Sequence, residues 1–275
     1  MEAKDLKKLQ KYQMVITDEF VKFCDENNID YYLLGGSALG AVRHNGFIPW
    51  DDDMDVGLMR KDYEFFLENY VDNDKFYLQA IERDNNYWNM YAKLRMKNTL
   101  MEEERIKNLD VPKEIFIDVF PIDNAPSGGY NKVIIKANIF MILKMSLLIK
   151  MKVAHLCECN FKIITKMCSW LPKGLIYKMA KKIMMSYKDD NSTYTISYLD
   201  YIIRKGYLLR SVYLPAKDCK FEDRVYKIPN DADAYLKSLY GDYMTLPKEE
   251  DRISHGVVRI SFDTKENEKW LRLHF

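Results

Sequence analysis

"IPWDDDMDVGL", residues 48–58, places four aspartates in five positions: Asp51, Asp52, Asp53 and Asp55. A proline–tryptophan pair precedes them, and an apolar run that reads as a strand, MDVGLM at 54–59, follows. Carboxylates this crowded repel one another, so the stretch needs a reason. A solvated acidic turn is one. A calcium loop is another, but counting from Asp51 the EF-hand positions for Gly and the bidentate Glu hold Val56 and Asp62. The third is a divalent-cation site at the head of a strand. Side chains alternate along an extended chain, so Asp53 and Asp55 would share one side, about 6–7 Å apart. A hard cation such as Mg²⁺ (or Mn²⁺) takes oxygen ligands and would relieve the repulsion.

Working outward, "EIFIDVFPID" at 114–123 reads as a strand ended by Pro121. It supplies a third carboxylate, Asp118, between Ile117 and Val119. A lone acid in a run built for burial is costly unless it is paired or metal-bound. A structural Arg or Lys partner is therefore the other reading of Asp118. Upstream, in "LLGGSALGAVRHNG" (33–46), a strand ends in Gly35-Gly36 and Ser37, a favoured N-cap type, opens a helix. Free backbone N–H groups and the helix dipole at such a terminus suit phosphate. Arg43 and His44 follow two turns on. Lys93 and Arg95 alternate within "YWNMYAKLRMK" (87–97), so they would share a face, toward phosphate or as a solvated strand edge.

The rest of the opening third mixes elements. An amphipathic helix spans 5–27, strands fall at 31–36 and in "FYLQAIER" (76–83), and a helix runs from Lys61 to Tyr70. From 131 to 188 the character changes to helix-like, with twelve lysines, no arginine and one acid, Glu158. Lys132, Lys136, Lys144 and Lys150 fall within about a third of a helical wheel. That suits a helix lying on an anionic membrane surface, or a core helix with one solvated lysine edge. No lysine-free run reaches the roughly 18 apolar residues of a spanning helix. After 190 the chain is mixed again, with one helix expected at Ala232–Tyr240.

Composition bounds the alternatives. Apolar residues are 48%, enough for a sizeable core, and 42 Lys+Arg balance 41 Asp+Glu, which argues against a general nucleic-acid binder. Five cysteines without framework spacing, and an N-terminus without a signal-like apolar core, point to a reducing, cytoplasmic setting. His155, Cys157, Cys159 and Cys168 lack the paired C-x-x-C spacing of structural zinc.

Taken together, "GGSALGAVRHNGFIPWDDDMDVGLMRKDYEFF" (35–66), "FIDVFPID" (116–123) and "YLKSLYGDYMTLP" (235–247) resemble the LicD family of phosphocholine transferases and their relatives, the fukutin-related proteins. The resemblance covers both ends of the chain and is weakest over 131–190. It implies an α+β fold, a nucleotidyltransferase-like mixed β-sheet core with flanking helices and a mostly helical basic insertion. The expected organisation is a catalytic core at 1–130, the insertion at 131–190 and a segment at 191–275 that completes the domain. The resemblance also implies transfer of a phospho-alcohol, typically phosphocholine from CDP-choline, onto a hydroxyl of a cell-surface glycan precursor, with CMP released. CDP-ribitol serves some relatives as donor.

Joined to the spacing arguments, this gives an expected site. Asp53, Asp55 and Asp118 are the catalytic and metal-binding acids, around Mg²⁺ (or Mn²⁺). Gly35, Gly36, Ser37, Arg43 and Lys93 hold the donor. Arg252 and His255, in the tail "EEDRISHG" (249–256), close over it. Tyr87, Trp88, Tyr91 and Trp50 are aromatic candidates for a quaternary ammonium. The expected partners are a CDP-alcohol donor and a glycan acceptor, including one carried on lipid, with membrane contact through 131–155 at the inner face of the plasma membrane. A nucleotidyl transferase releasing pyrophosphate is the rival enzyme. A non-catalytic glycan- or membrane-binding protein would have no need of three converging acids.

Overall fold

The computed structural model describes residues 3–154, 161–188, 192–198, 203–252 and 256–262. Helix α1 (Ala3–Glu26) opens the chain and buries Leu9, Tyr12, Gln13, Ile16, Phe20 and Cys24, a stripe at helical spacing. Then follow β1 (Tyr31–Leu33), α2 (Gly35–His44), β2 (Asp55–Met59), α3 (Arg60–Asn69), β3 (Phe76–Gln79), β4 (Ala92–Met96), β5 (Leu100–Glu103) and β6 (Phe116–Ala125). The main sheet runs β1-β2-β6-β4-β3, with β7 (Tyr194–Ile196) on the far end of β6 and β8 (Leu208–Leu209) beside β7. Strands β2 and β6 are parallel, and their neighbours pair antiparallel. The fold is thus a mixed sheet with helices packed on it. A hairpin of β9 (Lys217–Phe221) and β10 (Arg224–Ile228), helix α7 (Ala232–Tyr240) and β11 (Val257–Ser261), paired with β5, complete this part.

One rung of the sheet matters most. Asp55 on β2 pairs with Asp118 on β6, and Asp118 pairs in turn with Lys93 on β4. Two strands bring together residues 63 positions apart in sequence. Pro121 does not end β6, which runs on to Ala125. The N–H of Asp118 bonds the Met54 carbonyl, so even-numbered N–H groups face β2 and odd-numbered ones face β4 and β7. Position 121 therefore falls between the last β4 partner, at Val119, and the first β7 partner, at Asp123. A proline there forfeits no ladder bond.

Three further expectations are corrected. The helix after the glycine pair begins at Gly35, not Ser37; its N-cap is Leu34, with no side-chain cap, and Gly35 takes the left-handed φ of +51°. Ser37 is drawn away from capping because its hydroxyl serves β2, as shown below. Strand β3 stops at Gln79, and β4 starts only at Ala92, after an irregular stretch through 84–91.

The lysine-rich part forms α4 (Tyr130–Lys150), α5 (Lys162–Cys168) and α6 (Lys173–Met184). Here the apolar residues gather in a second core. Val133, Ala137, Phe140, Leu143 and Leu147 of α4 pack with Ile176, Ala180 and Met184 of α6, beneath Trp88, Ala125, Ile196 and Tyr198. The inner face of α4 is therefore a core face, and its lysine edge is partly tied down. Lys136 donates to Ser186 Oγ at 2.7 Å and lies over the Tyr187 ring. Lys181 of α6 reaches Glu64 at 2.7 Å and Glu82 at 2.9 Å, which fastens these helices to the sheet domain. Among the described residues no helix is long and apolar enough to cross a membrane. Of the residues weighed for zinc, His155, Cys157 and Cys159 lie outside the described residues, and Cys168 is a free thiol.

Candidate active site

The aspartate stretch enters β2 already extended. Asp51, Asp53 and Asp55 are partly buried, while Asp52 and Met54 are fully buried, which is the alternation of a strand. Its backbone is held from α1: Gln10 Nε2 donates to the Asp51 carbonyl and Gln13 Nε2 to the Asp52 carbonyl, each at 2.9 Å. These glutamines anchor the acidic run, and the sequence reading does not single them out. The signal was present: two amides three apart on a face otherwise built for the core.

The glycine pair lies against the acids. A Cβ placed on Gly36 would stand 2.6 Å from Asp51 Oδ2, and one on Gly35 would stand 3.0 Å from Asp55 Oδ2. A side chain at either position would push these carboxylates aside, and Gly35 also needs its left-handed φ. The Gly35 N–H donates to Tyr235 Oη at 3.0 Å, so α7 of the C-terminal segment seats on the same terminus. The first helical bond, Ala38 N–H to the Leu34 carbonyl, leaves the Gly36 and Ser37 N–H groups ahead of the ladder. Ser37 is buried, and its hydroxyl oxygen accepts the Asp55 N–H at 2.8 Å. It fixes the start of β2 to α2, and so the acids to the glycines.

Charge is concentrated at the shared rung. Burial, and then Asp53, Asp118 and Asp51, push the Asp55 carboxyl well above the usual carboxylate range, with Lys93 acting the other way. Asp118 Oδ1 stands 2.7 Å from Lys93 Nζ. The contact joins two buried opposite charges. Lys93 is itself buried, which pushes its ammonium pKa down against the pull of Asp118, and its Nζ lies 3.1 Å from the centroid of the Phe116 ring. Asp51, Asp53 and Asp118 thus all act on Asp55, with Lys93 as the opposing charge. A donor set made of carboxylate oxygens fits a hard divalent ion in its chemistry. As they stand, the carboxylates do not converge: among the described residues no group of three or more His, Cys, Asp or Glu side chains could hold a metal ion.

The remaining candidates separate. Arg95 is buried and committed to structure, donating to Gln79 Oε1 at 2.6 Å and the Glu114 carbonyl at 2.7 Å. The solvated-edge reading fails for both Lys93 and Arg95, because β4 lies inside the sheet between β6 and β3. Arg43 donates to the Tyr243 carbonyl and to His44 Nε2, tying α2 to the segment after α7 rather than to the acids. Arg252 lies over the Trp50 ring at 4.4 Å, and His44 meets the same ring edge-on. The C-terminal tail therefore does fold onto the residue that precedes the acidic run. The Arg252 Nε is buried without a hydrogen-bond partner among the described residues. His255 lies outside the described residues. Of the aromatic candidates, Tyr87 and Trp88 are buried, Trp50 carries Arg252, and Tyr91 is half-exposed beside Phe120, with Lys93 Nζ 5.7 Å from its ring.

Residues 28–161 match the family described as LicD/FKTN/FKRP, nucleotidyltransferase domain. The matched span contains β1, α2, the acidic run, β4 and β6. The chain is 26% identical over 268 residues to the lipopolysaccharide cholinephosphotransferase LicD of Haemophilus influenzae, covering 90% of this chain and 96% of that protein. A protein of Rickettsia typhi is 45% identical over 62 residues, 22% of this chain and 19% of its own length. Human ribitol 5-phosphate transferase FKRP is 26% identical over 125 residues, 37% of this chain and 24% of its own.

Proposed function

We propose that the chain acts as a LicD-type enzyme, in line with the match over residues 28–161 and the similarity to a LicD cholinephosphotransferase: it transfers a phospho-alcohol from a CDP-activated donor to a glycan hydroxyl, releasing CMP. Phosphocholine is the favoured group, because the full-length similarity is to a cholinephosphotransferase that acts on lipopolysaccharide. The single observation that carries the reading is the rung Asp55–Asp118–Lys93 set beside the Gly35-Gly36 terminus.

Asp53, Asp55 and Asp118 would hold Mg²⁺ or Mn²⁺; when bound, the ion offsets charge on the donor diphosphate and on the departing CMP. The chain's own residues do the rest. Gly36 and Ser37 would present backbone N–H groups to phosphate oxygens. Lys93 supplies a fixed positive charge behind Asp118. Asp118 accepts the acceptor hydroxyl's proton or serves as a further ligand. Arg252, stacked on Trp50, brings a second cation to the mouth of the site. Tyr91 offers a part-exposed ring to a quaternary ammonium. The reaction would take place at the cytoplasmic side, where CDP-alcohols are made available.

The similarity to a ribitol 5-phosphate transferase favours ribitol phosphate as the second donor to try. The test is to incubate the full chain with Mg²⁺ and a panel of CDP-alcohols, with and without candidate glycans. CMP release supports phospho-alcohol transfer. Pyrophosphate release from a nucleoside triphosphate, with no CMP from any CDP-alcohol, would establish the nucleotidyl rival instead.

A further inference from the structure

The lysine-rich helices present a feature that the proposed chemistry does not use. Helix α5 is joined to the rest of the fold along one line: Thr165 is buried, and its carbonyl accepts the Ser146 hydroxyl of α4 at 3.0 Å. On the opposite side Ile163, Met167 and Trp170 follow one another at i, i+4 and i+7, and they are 78%, 69% and 82% exposed. Phe161 and Ile164 flank them, also exposed. Single exposed apolar residues are ordinary, but five within ten positions on a protruding helix are not. Lys162 and Lys166, both exposed, run along one edge of the same stripe. The surrounding chain, 131–188, holds twelve lysines and a single acid.

We propose that α5 and the turn through Trp170 form a docking surface for an anionic lipid bilayer. The charge decides the occupant. In a two-fold contact between copies, the same lysine-edged stripe would face itself, setting like charges against each other. An anionic headgroup layer instead meets the lysines while the Ile163–Met167–Trp170 ridge enters the acyl boundary. Tryptophan at the outer end suits that depth, with an apolar ring and a polar N–H. None of the described helices is long and apolar enough to span a bilayer, so the proposed contact is with its surface. On α4 the residues Val133, Ala137, Phe140, Leu143 and Leu147 are core while Ile135 and Ile139 are exposed, so the contact expected through 131–155 is extended here to α5. The surface stands on exposure and charge alone, whereas its use, bringing the transferase to an acceptor carried on lipid, rests on the proposed reaction.

The experiment is co-sedimentation of the full chain with phosphatidylcholine vesicles, with and without phosphatidylglycerol, at low and high salt. Wild type is expected to bind the anionic vesicles and to lose about tenfold in affinity at high salt, where surface charges are screened. The triple variant I163S/M167S/W170S should lose about tenfold or more at low salt while melting like wild type, since these side chains are solvent-exposed. K162Q/K166Q should weaken binding several-fold and flatten the salt dependence. No binding of wild type to anionic vesicles, or equal binding by the triple variant, would overturn the proposal. So would a dimer in sedimentation velocity that the triple variant dissolves. CMP release from CDP-choline, measured on the same preparations without vesicles, separates the two ideas. Turnover without vesicle binding removes the docking surface alone, and vesicle binding without turnover removes the reaction alone.

Discussion

Strand β6 carries two buried aspartates, Asp118 and Asp123, five positions apart and so on opposite faces of the sheet. Asp123 is closed. Arg60 grips it bidentately, Nε to Oδ1 at 2.7 Å and Nη2 to Oδ2 at 3.0 Å, and spends its other amine on Glu64 at 2.9 Å. Burial pushes the Asp123 carboxyl up, and the guanidinium pulls it back. Asp118 is open. Its cation is a lysine, a point charge without a fork, which meets Oδ1 at 2.7 Å. On its side stand three more acids and a glycine-lined helix terminus; on the side of Asp123 stand α3 and α6. The difference teaches how to sort buried charge. A pair that satisfies itself holds the fold together; a pair crowded by like charges is the one the proposed reaction assigns to a ligand.

That contrast can be broken by experiment. The largest effect is expected from Asp55→Asn, which should cut turnover by about 10³-fold or more, about 4 kcal/mol of barrier, while the circular dichroism stays native. Asp123→Ala should do the reverse. Removing one partner of a buried pair costs about 3–5 kcal/mol in denaturant unfolding, and the protein that remains folded should turn over near the wild-type rate. If Asp123→Ala lost activity without losing stability, the sorting of the two acids would be wrong. Gln13→Leu, which leaves the Asp52 carbonyl without its donor, should cost about 1–2 kcal/mol of stability and lower turnover through misplacement of the acidic run.

Two smaller effects concern protons. The Asp55 carboxyl is raised, so an incoming cation competes with a proton there. Mg²⁺ or Mn²⁺ affinity should therefore fall as pH drops, by up to about tenfold per pH unit for one displaced proton. A raised carboxylate also binds protons more tightly folded than unfolded. Stability of the cation-free protein should decline as pH climbs from the unfolded value toward the raised one. Asp55→Asn should remove that slope and lift the melting temperature at neutral pH by about 2–4 °C. A pH-independent cation affinity, or a lower melting point in Asp55→Asn, would count against the crowded rung.

Much of the site is legible from local spacing. The alternation at 51–55 predicts which acids share a side, and the burial pattern follows it. Asp118 stands out because it interrupts an apolar strand. Which strands become neighbours is not written locally, so nothing in "AKLRM" says that Lys93 meets Asp118 while Arg95, on the same face, turns to Gln79 and Glu114. Ser37 shows tertiary structure overriding a local rule: a good N-cap type sits inside the helix because β2 needs its oxygen. Gln10 and Gln13 pass for ordinary polar residues until the acidic run is laid against α1. In α4, periodicity marks an apolar face but not what covers it; here α6 and the end of the sheet do.

The central claim is that Asp53, Asp55 and Asp118 serve one divalent cation during transfer from a CDP-alcohol. Calorimetric titration of Mn²⁺ into wild type, Asp55→Asn and Asp118→Asn, each with CDP-choline present, tests it most directly. The account predicts saturable binding in wild type that is lost in both variants. Equal binding by all three proteins would contradict it.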